Sequence, residues 1–424
     1  MSLGNYHTYK DRAHYFNGVA PTVDGLSGAI FQKAPTVTVP DRIAPYMPDI
    51  TLANESLEQF ALRTVREILT TGRIFLLANM SDGDPARPYV RLYAAEDAIS
   101  WRTAAVDGAE VLTRVILREH AATPDPKDEF VDVVSEQYRA LELVDGAYQC
   151  RVFTKAPASH LADREQWIPS VPIIPLRRGV PLSFIPGVFI NASSLTPEIK
   201  RSPMLDLSDV NRSHYMSSAE LENLLWYVGS PTPWASSFQG GGDGKKTLRI
   251  GSATAWILGD NGRAGLLEMT GQGAAAIREN MAEKRRQMVA LGAKLLEDSP
   301  RSAETATSVS QRNAASQANL KTITQTAEAG LSMGLQWLGW WTGPEAKPSD
   351  VPAAIELSKD FYALRMSADE LKSLVTSWQS DGISFDTLHY NLQRGDLMRP
   401  GVSADDERAA IARQAEPRTA GTGA

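Results

Sequence analysis

The chain is 424 residues long, which at ~100–200 residues per domain corresponds to about two to four structural units. Hydrophobic residues make up 43% and charged residues 22%, the balance of a folded globular protein, so wholesale disorder is excluded. Lys and Arg total 43 against 50 Asp and Glu, a net charge of -7, which excludes a surface that grips nucleic acid through overall positive charge; any DNA contact must be local.

After a polar start, residues 15 to 39 mix apolar and Gly residues without a clean period, and Pro35, Pro40, Pro45 and Pro48 mark an irregular, extended passage. A helix follows, with Ser56 and Gln59 at capping-box spacing, Leu57, Phe60, Ala61, Val65 and Ile68 on one face, and Gly72 as its stop. Residues 73–78, 89–93, 111–118, 130–138 and 148–153 are β-branched or aromatic runs bounded by Gly, Pro and Asp, and read as strands. Residues 50 to 195 therefore form one α+β unit.

The pattern then becomes helical. Ser202 and Pro203 suit an N-cap and first helical position, and residues 205–228 form a helix closed by Gly229 and Pro231. Its length is about 36 Å at ~1.5 Å per residue. Residues 231–271 carry a Gly-rich loop (Gly240 to Lys246) and two short strand candidates, 247–250 and 254–258, which make a small β insert. A second long helix spans 272–298 and breaks at Pro300; Ile277, Met281, Met288, Leu291 and Leu295 form a narrow apolar seam, interrupted by Lys284. Lys284 either snorkels to the seam's edge or pairs with an acid on a neighbouring helix or chain.

A third helical stretch, 303–341, begins with Ala, Ser, Thr, Gln and Asn and only later carries Leu320, Ile323, Leu331, Leu335 and Leu338. Its small side chains permit close backbone packing. A strand candidate follows at 354–361. Two short helices then open with clear signals: Ser367 with Glu370 and the staple pair Met366 and Leu371, then Ser384 with Thr387 and the staple pair Ile383 and Leu388. Gly382 and Gly395 end them, and the tail 414–424 is expected to be disordered.

Recognisable chemistry is sparse. The loop Gly240 to Lys246 fails the phosphate-loop pattern, because Lys246 stands where a Ser or Thr must follow Gly-Lys, so a hairpin tip is the plainer reading. The sequence has no nucleophile elbow, no His-Glu-x-x-His helix and no Cys pair for zinc, and its six histidines are scattered. Cys150, the one cysteine, sits in a strand candidate as a small buried hydrophobe and leaves no intrachain disulfide. No catalytic activity, metal or cofactor is expected. The start lacks the apolar stretch of a secretory signal, so a cytosolic origin is expected. The most apolar run, 182–192, is far short of the ~20 residues of a bilayer span.

On the second long helix, the face opposite the seam carries Glu279, Glu283, Arg286, Ala290, Ala293 and Glu297, a mostly acidic stripe whose plainest role is a solvated outer face. In the insert, Trp234, Phe238 and Trp256 supply apolar area and Lys245, Lys246 and Arg249 positive charge. Those aromatics serve equally well as a local core or as an interface with an acidic partner.

Residues 15–35 (YFNGVAPTVDGLSGAIFQKAP), 88–102 (PYVRLYAAEDAISWR), 202–234 (SPMLDLSDVNRSHYMSSAELENLLWYVGSPTPW), 248–258 (LRIGSATAWIL) and 382–398 (GISFDTLHYNLQRGDLM) resemble portal proteins of tailed bacteriophages, the head-to-tail connectors. More narrowly, they resemble a portal branch long catalogued as a phage domain of unknown function. The resemblance implies an α+β portal fold: a wing over 1–200, stem helices over 201–228 and 272–298 and a β-containing clip over 229–271. It further implies a tunnel loop over 299–304, a long wing helix and strand over 305–362, and a helical crown over 363–413. Such chains often carry more residues before the position of Tyr15.

The resemblance also implies a ring, a dodecamer in the virion, at one capsid vertex. That ring passes double-stranded DNA without sequence specificity during packaging and ejection, contacts the major capsid protein, and docks the large terminase subunit and then a head-tail adaptor through the clip. Glu279, Glu283, Arg286 and Glu297 would line the channel, with Arg301 approaching the DNA. Two other classes stand beside it: a different head-tail adaptor or scaffold, and an enzyme hidden in the α+β region.

Overall fold

The computed structural model describes residues 3–81, 87–106, 108–125, 127–156, 167–230, 232–241, 256–267, 271–292, 306–359, 361, 368–380, 382–394, 398 and 402–415. The chain divides into two compact units, residues 1–28 with 35–356 and residues 29–34 with 357–424. The fold is α+β, as expected.

The larger unit opens with two helices, α1 (Leu3–Arg12) and α2 (Val19–Ile30), which correct the reading of this region as irregular. The Asn17 side chain accepts the Ala20 amide at 3.1 Å and starts α2. Its inner face is Thr22, Val23, Leu26 and Ser27. Two of those four are polar and two glycines, Gly25 and Gly28, interleave the segment, which hides the helical period from a hydrophobicity reading.

The short β1 (Thr36–Thr38) and a 3-10 turn at Ala44–Asp49 follow. α3 (Leu57–Thr71) has both halves of the expected capping box between Ser56 and Gln59, and it ends at Gly72, whose φ of 91° is the left-handed conformation a glycine supplies. All five residues of the expected apolar face are buried.

β2 (Arg73–Met80) and β3 (Pro88–Ala94) form an antiparallel three-stranded sheet with a later strand, Gly187–Asn191, that lies on the other side of β2. The second sheet is a five-stranded antiparallel meander of β4 (Ala98–Val106), β5 (Ala109–Asp125), β6 (Asp128–Val144), β7 (Ala147–Lys155) and β8 (Trp167–Pro169), in sequence order. β4 was not anticipated, and β5 and β6 run well beyond the expected ends. Asp145 and Gly146, with φ of 49° and 77°, make the two-residue turn between β6 and β7. A small hairpin, β9 (Leu176–Arg177) and β10 (Val180–Pro181), then leads into β11, the Gly187–Asn191 strand.

α4 (Leu205–Gly229) matches the expected first long helix, but its start differs: Met204 is the capping residue and Ser202 instead accepts the Met204 amide at 3.1 Å. Ser202 also donates to the Thr70 carbonyl at 2.7 Å, so a tertiary bond holds the hydroxyl two residues before the capping position. The insert contains β12 (Thr232–Ala235), β13 (Phe238–Gly241), β14 (Trp256–Leu258) and β15 (Ala264–Leu267), paired β12 with β15 and β13 with β14. The strand candidate at 247–250 lies outside the described residues. α5 (Gly273–Leu291) returns antiparallel to α4.

α6 (Ala306–Thr342) buries Leu320, Ile323, Leu331, Leu335 and Leu338, as its pattern required. A β-carbon at Gly334 would come 3.0 Å from the Leu76 side chain, so the helix lies close on the three-stranded sheet at that point; the side chains of its small-residue start, 306–319, lie outside the described residues. β16 (Ala354–Glu356), shorter than expected, pairs with β1.

In the smaller unit, α7 (Ala368–Gln379), α8 (Phe385–Arg394) and α9 (Ala404–Ala415) are helical. Ser384 accepts the Thr387 amide at 3.2 Å, as its cap spacing required. The Ser367 cap lies outside the described residues. α9 runs through Ala415 and so corrects the expected start of a disordered tail at 414.

Candidate functional site

The 25 residues of α4 make a rod about 37 Å long at ~1.5 Å per residue. Buried Leu207, Asn211, His214, Ser218 and Leu221 alternate by four and three along one of its faces, the spacing that keeps a helix against an antiparallel partner. At the insert end, Leu221, Ala274 and Met281 form an apolar cluster with Leu224, Leu225 and Ile277 packed on it. Met288 is also buried, but Leu291 is 49% exposed, so the described seam ends one turn earlier than expected. Leu295 lies outside the described residues.

Lys284, in the middle of the seam, donates to the Ser213 carbonyl at 3.1 Å and the Ser217 hydroxyl at 2.7 Å. Snorkelling to the seam's edge and pairing with an acid were the two expected outcomes; no acid on α4 takes up the ammonium, which meets two neutral acceptors there. Next to it, Arg285 donates to His214 Nε2 at 3.2 Å, which requires the imidazole to be neutral at that nitrogen. Burial first, then the charges of Arg285 and Lys284, push the His214 pKa below its ordinary value, and its Nδ1 is buried without a partner.

The segment between α1 and α2 crosses this region. His14 donates its amide to Ser218 at 3.0 Å, Gly18 donates to Asn211 at 3.0 Å, and the Phe16 ring stands 5.5 Å from His214. A β-carbon at Gly18 would come 2.9 Å from both Asn211 and Met288, so glycine lets the strap lie flat. This strap was invisible to hydrophobic periodicity; the polar 4-3 spacing on α4 is the signal that could have found it.

The opposite face of α5 carries the expected stripe. Glu279, Glu283 and Arg286 are all exposed on it. Arg286 donates to Glu283 at 2.6 Å. With side chains 71% and 51% exposed, such a pair contributes about 0–1 kcal/mol. The cation is engaged by its own helix, so the described stripe presents one unpaired carboxylate and one neutralised pair, less acidic than the full pattern implied. Glu297 and Arg301 lie outside the described residues.

At the far end of the rod, Trp234 on β12 faces Gly265 on β15 in register, and a β-carbon at Gly265 would lie 3.1 Å from its indole nitrogen. Trp234 remains 44% exposed, and Phe238 and Trp256 are half-buried. The four described strands pair within the chain, β12 with β15 and β13 with β14. Their side chains still present apolar area: Ile257, Leu266 and Leu267 are 52%, 55% and 65% exposed, and Trp226 and Tyr227 near the end of α4 are each 46% exposed. These five were not singled out from sequence. Lys245, Lys246 and Arg249 lie outside the described residues.

A separate ionic cluster stands between the two sheets. Glu119, its side chain 1% exposed, takes bonds from Arg139 at 2.9 and 3.2 Å, from the Tyr93 hydroxyl at 2.6 Å and from Gln137 at 2.8 Å, with Arg91 at 3.3 Å. Burial alone would raise the Glu119 carboxyl, but the bonds and charge of Arg139, the Tyr93 hydroxyl and the Arg91 charge outweigh it and hold the acid at about 2. Arg139 also reaches Cys150 Sγ at 3.3 Å; burial raises that thiol despite the neighbouring cation, so Cys150 behaves as a buried side chain. Among the described residues, no group of three or more His, Cys, Asp and Glu is placed to hold a metal ion, and no helix is long and apolar enough to cross a membrane.

A family model described as "Domain of unknown function (DUF4055)" matches residues 203–342, the stretch from the start of α4 through the end of α6. No curated protein matches the sequence. Among solved structures, a chain described as "Neck of native GTA particle computed with C12 symmetry" is similar over 89% of this chain and 89% of its own length, at 11% identity and a TM-score of 0.36. That likeness is too distant to assign a role.

Proposed function

We propose that this chain is a structural protein of a phage-type head-tail junction, and more narrowly the subunit of a portal ring that conducts double-stranded DNA. The observation that carries the reading is the unit built from α4, the β insert and α5: two long antiparallel helices pinned at mid-length, with a polar stripe on one outer face and a β tip at the far end. Two of the sequence phrases that resemble tailed-phage portals, 202–234 and 248–258, fall on this unit and support the same reading.

In this reading the α5 stripe faces the channel. A conduit for duplex DNA must not hold phosphates tightly, because each cation that neutralises a phosphate adds affinity. Glu279 repels the backbone, and Glu283 occupies Arg286 so that its charge is muted. The β tip, with Trp234, Ile257, Leu266 and Leu267 exposed, is the docking surface for the packaging motor and later for an adaptor. The chain itself performs no catalysis, and nucleotide hydrolysis belongs to the motor.

The test is packaging by particles whose portal carries Glu279→Lys with Glu283→Lys. Rings should assemble normally while DNA packaging or retention falls, since surface charge changes and packing does not. Normal packaging by such rings would refute the channel role of this face.

A further inference from the structure

The hairpin of β5 and β6 outruns its sheet. β4 pairs with β5 only as far as Leu117, and β7 pairs with β6 only up to Gln137. The rungs from His120 opposite Glu136 to Asp125 opposite Asp128 are therefore bonded only to each other. A lone two-stranded ribbon is marginal in water, yet this one shows Phe130 at 89% and Val134 at 64% exposure. Directly opposed residues share a face, so Val134 stands with Ala122 and Asp132 with Pro124, Glu136 lies at the next alternate position of β6, and Phe130 falls in the stretch where the register shifts toward Asp125 opposite Asp128. The ribbon thus presents an apolar face with negative charge.

The same unit carries a complementary surface elsewhere. The segment 170–180 runs along the outer side of β7, where Ser170 donates to the Val152 carbonyl at 2.7 Å and Cys150 and Ile173 exchange bonds at 2.8 Å. On it, Val171, Ile173, Ile174 and Val180 are 84%, 56%, 48% and 64% exposed. Arg178 stands exposed at the tip of the β9–β10 turn. Pro169, Pro172 and Pro175 remove amide donors from this edge, so it cannot accept a further strand by backbone pairing and offers side chains instead.

An acidic apolar ribbon and an apolar edge with a cation, on different parts of one chain, fit each other in a second copy. Because the two surfaces differ, a pair of copies keeps one free arm and one free edge, and a head-to-tail contact of this kind closes into a ring when the rotation allows. We infer that the arm 120–136 of one copy docks on the 170–180 edge of the next, Phe130 and Val134 against Val171 and Val180, with Asp132 and Glu136 turned to Arg178. This deepens the ring reading above and rests on it.

The test is sedimentation velocity of the full chain, wild type against an arm variant (Phe130→Asp with Val134→Asp) and an edge variant (Val171→Asp with Arg178→Asp). Each variant alone should assemble roughly 100-fold more weakly, the arm variant from the loss of two buried apolar side chains and the edge variant from the loss of one and a reversed charge, with unchanged circular dichroism. Mixed one to one, they should form heterodimers and no rings, since one intact arm then meets one intact edge. Rings in either variant, or complete rings in the mixture, overturn the inference and leave the ring reading standing; a monomeric wild type overturns both. A Phe130→Cys/Val171→Cys chain, oxidised after assembly, should give a ladder of covalent multimers. Assembled rings that give no ladder also overturn it.

Discussion

Glu119→Gln removes one charge from a site that holds it almost entirely out of water. The carboxyl titrates near 4.5 in an open chain and at about 2 in the fold, which corresponds to roughly 3 kcal/mol of stability at neutral pH. Because its folded value is depressed, that contribution is complete above about pH 4.5 and is lost as pH falls toward 2. Glutamine keeps the shape and can still accept the Tyr93 hydroxyl, but Arg139, itself 20% exposed, then lacks its counterion. Stranding a buried cation costs about 3–5 kcal/mol, a loss of roughly 6–20 °C in melting temperature at 2–4 °C per kcal/mol. Scanning calorimetry of single and double variants measures it. If the cost arises from the uncompensated cation, Glu119→Gln combined with Arg139→Met should be less damaging than Glu119→Gln alone. Additive losses, or a Glu119→Gln loss under about 0.5 kcal/mol, would refute this reasoning.

Lys284→Met keeps the aliphatic stem but removes the bonds to Ser213 and Ser217, and urea unfolding should show a loss of about 2–3 kcal/mol. His214 has a depressed folded pKa, so its stabilisation is complete above about 6.5 and is lost as pH falls below that value; melting temperature should drop between pH 7.5 and 5.5, and by less in His214→Gln. A β-carbon at Gly330 would collide with the Ile190 side chain where α6 lies on β11, so Gly330→Ala should lower stability by about 1–3 kcal/mol in the same unfolding assay.

The parts of this fold that the sequence exposes are those where local chemistry and burial agree. At α3 the cap, the apolar face and the glycine stop all point to one helix, and the structure has each of them. The two long helices were equally plain, because Pro and Gly punctuate a change from strand to helix period; within the insert only β14 falls on an expected strand, and β12, β13 and β15 were not anticipated. The strap across α4 was not legible, since it is made by Asn211, His214 and Ser218, polar residues that a hydrophobic pattern assigns to solvent. Lys284 was legible only in part: a lysine inside a seam suggests snorkelling to its edge or an acid, whereas a helix packed this closely offers a carbonyl and a hydroxyl at the right distance. The arm beyond Leu117 was hidden because its strands continue the alternation of the sheet, and only the pairing partners reveal that the sheet has ended. Of the proposed site, the α5 stripe followed from helical geometry alone. The apolar tip residues Ile257, Leu266 and Leu267 did not, because exposure of an apolar strand residue depends on what packs behind it.

The central claim is that α5 turns its Glu279, Glu283 and Arg286 face toward a DNA channel. Cryo-electron microscopy of the purified, assembled chain tests it most directly. The account predicts a closed ring around an open axial channel, with α5 on the inner wall and these three side chains directed at the axis. A ring whose inner wall is formed by other elements, with the α5 stripe on the outer surface, would contradict it.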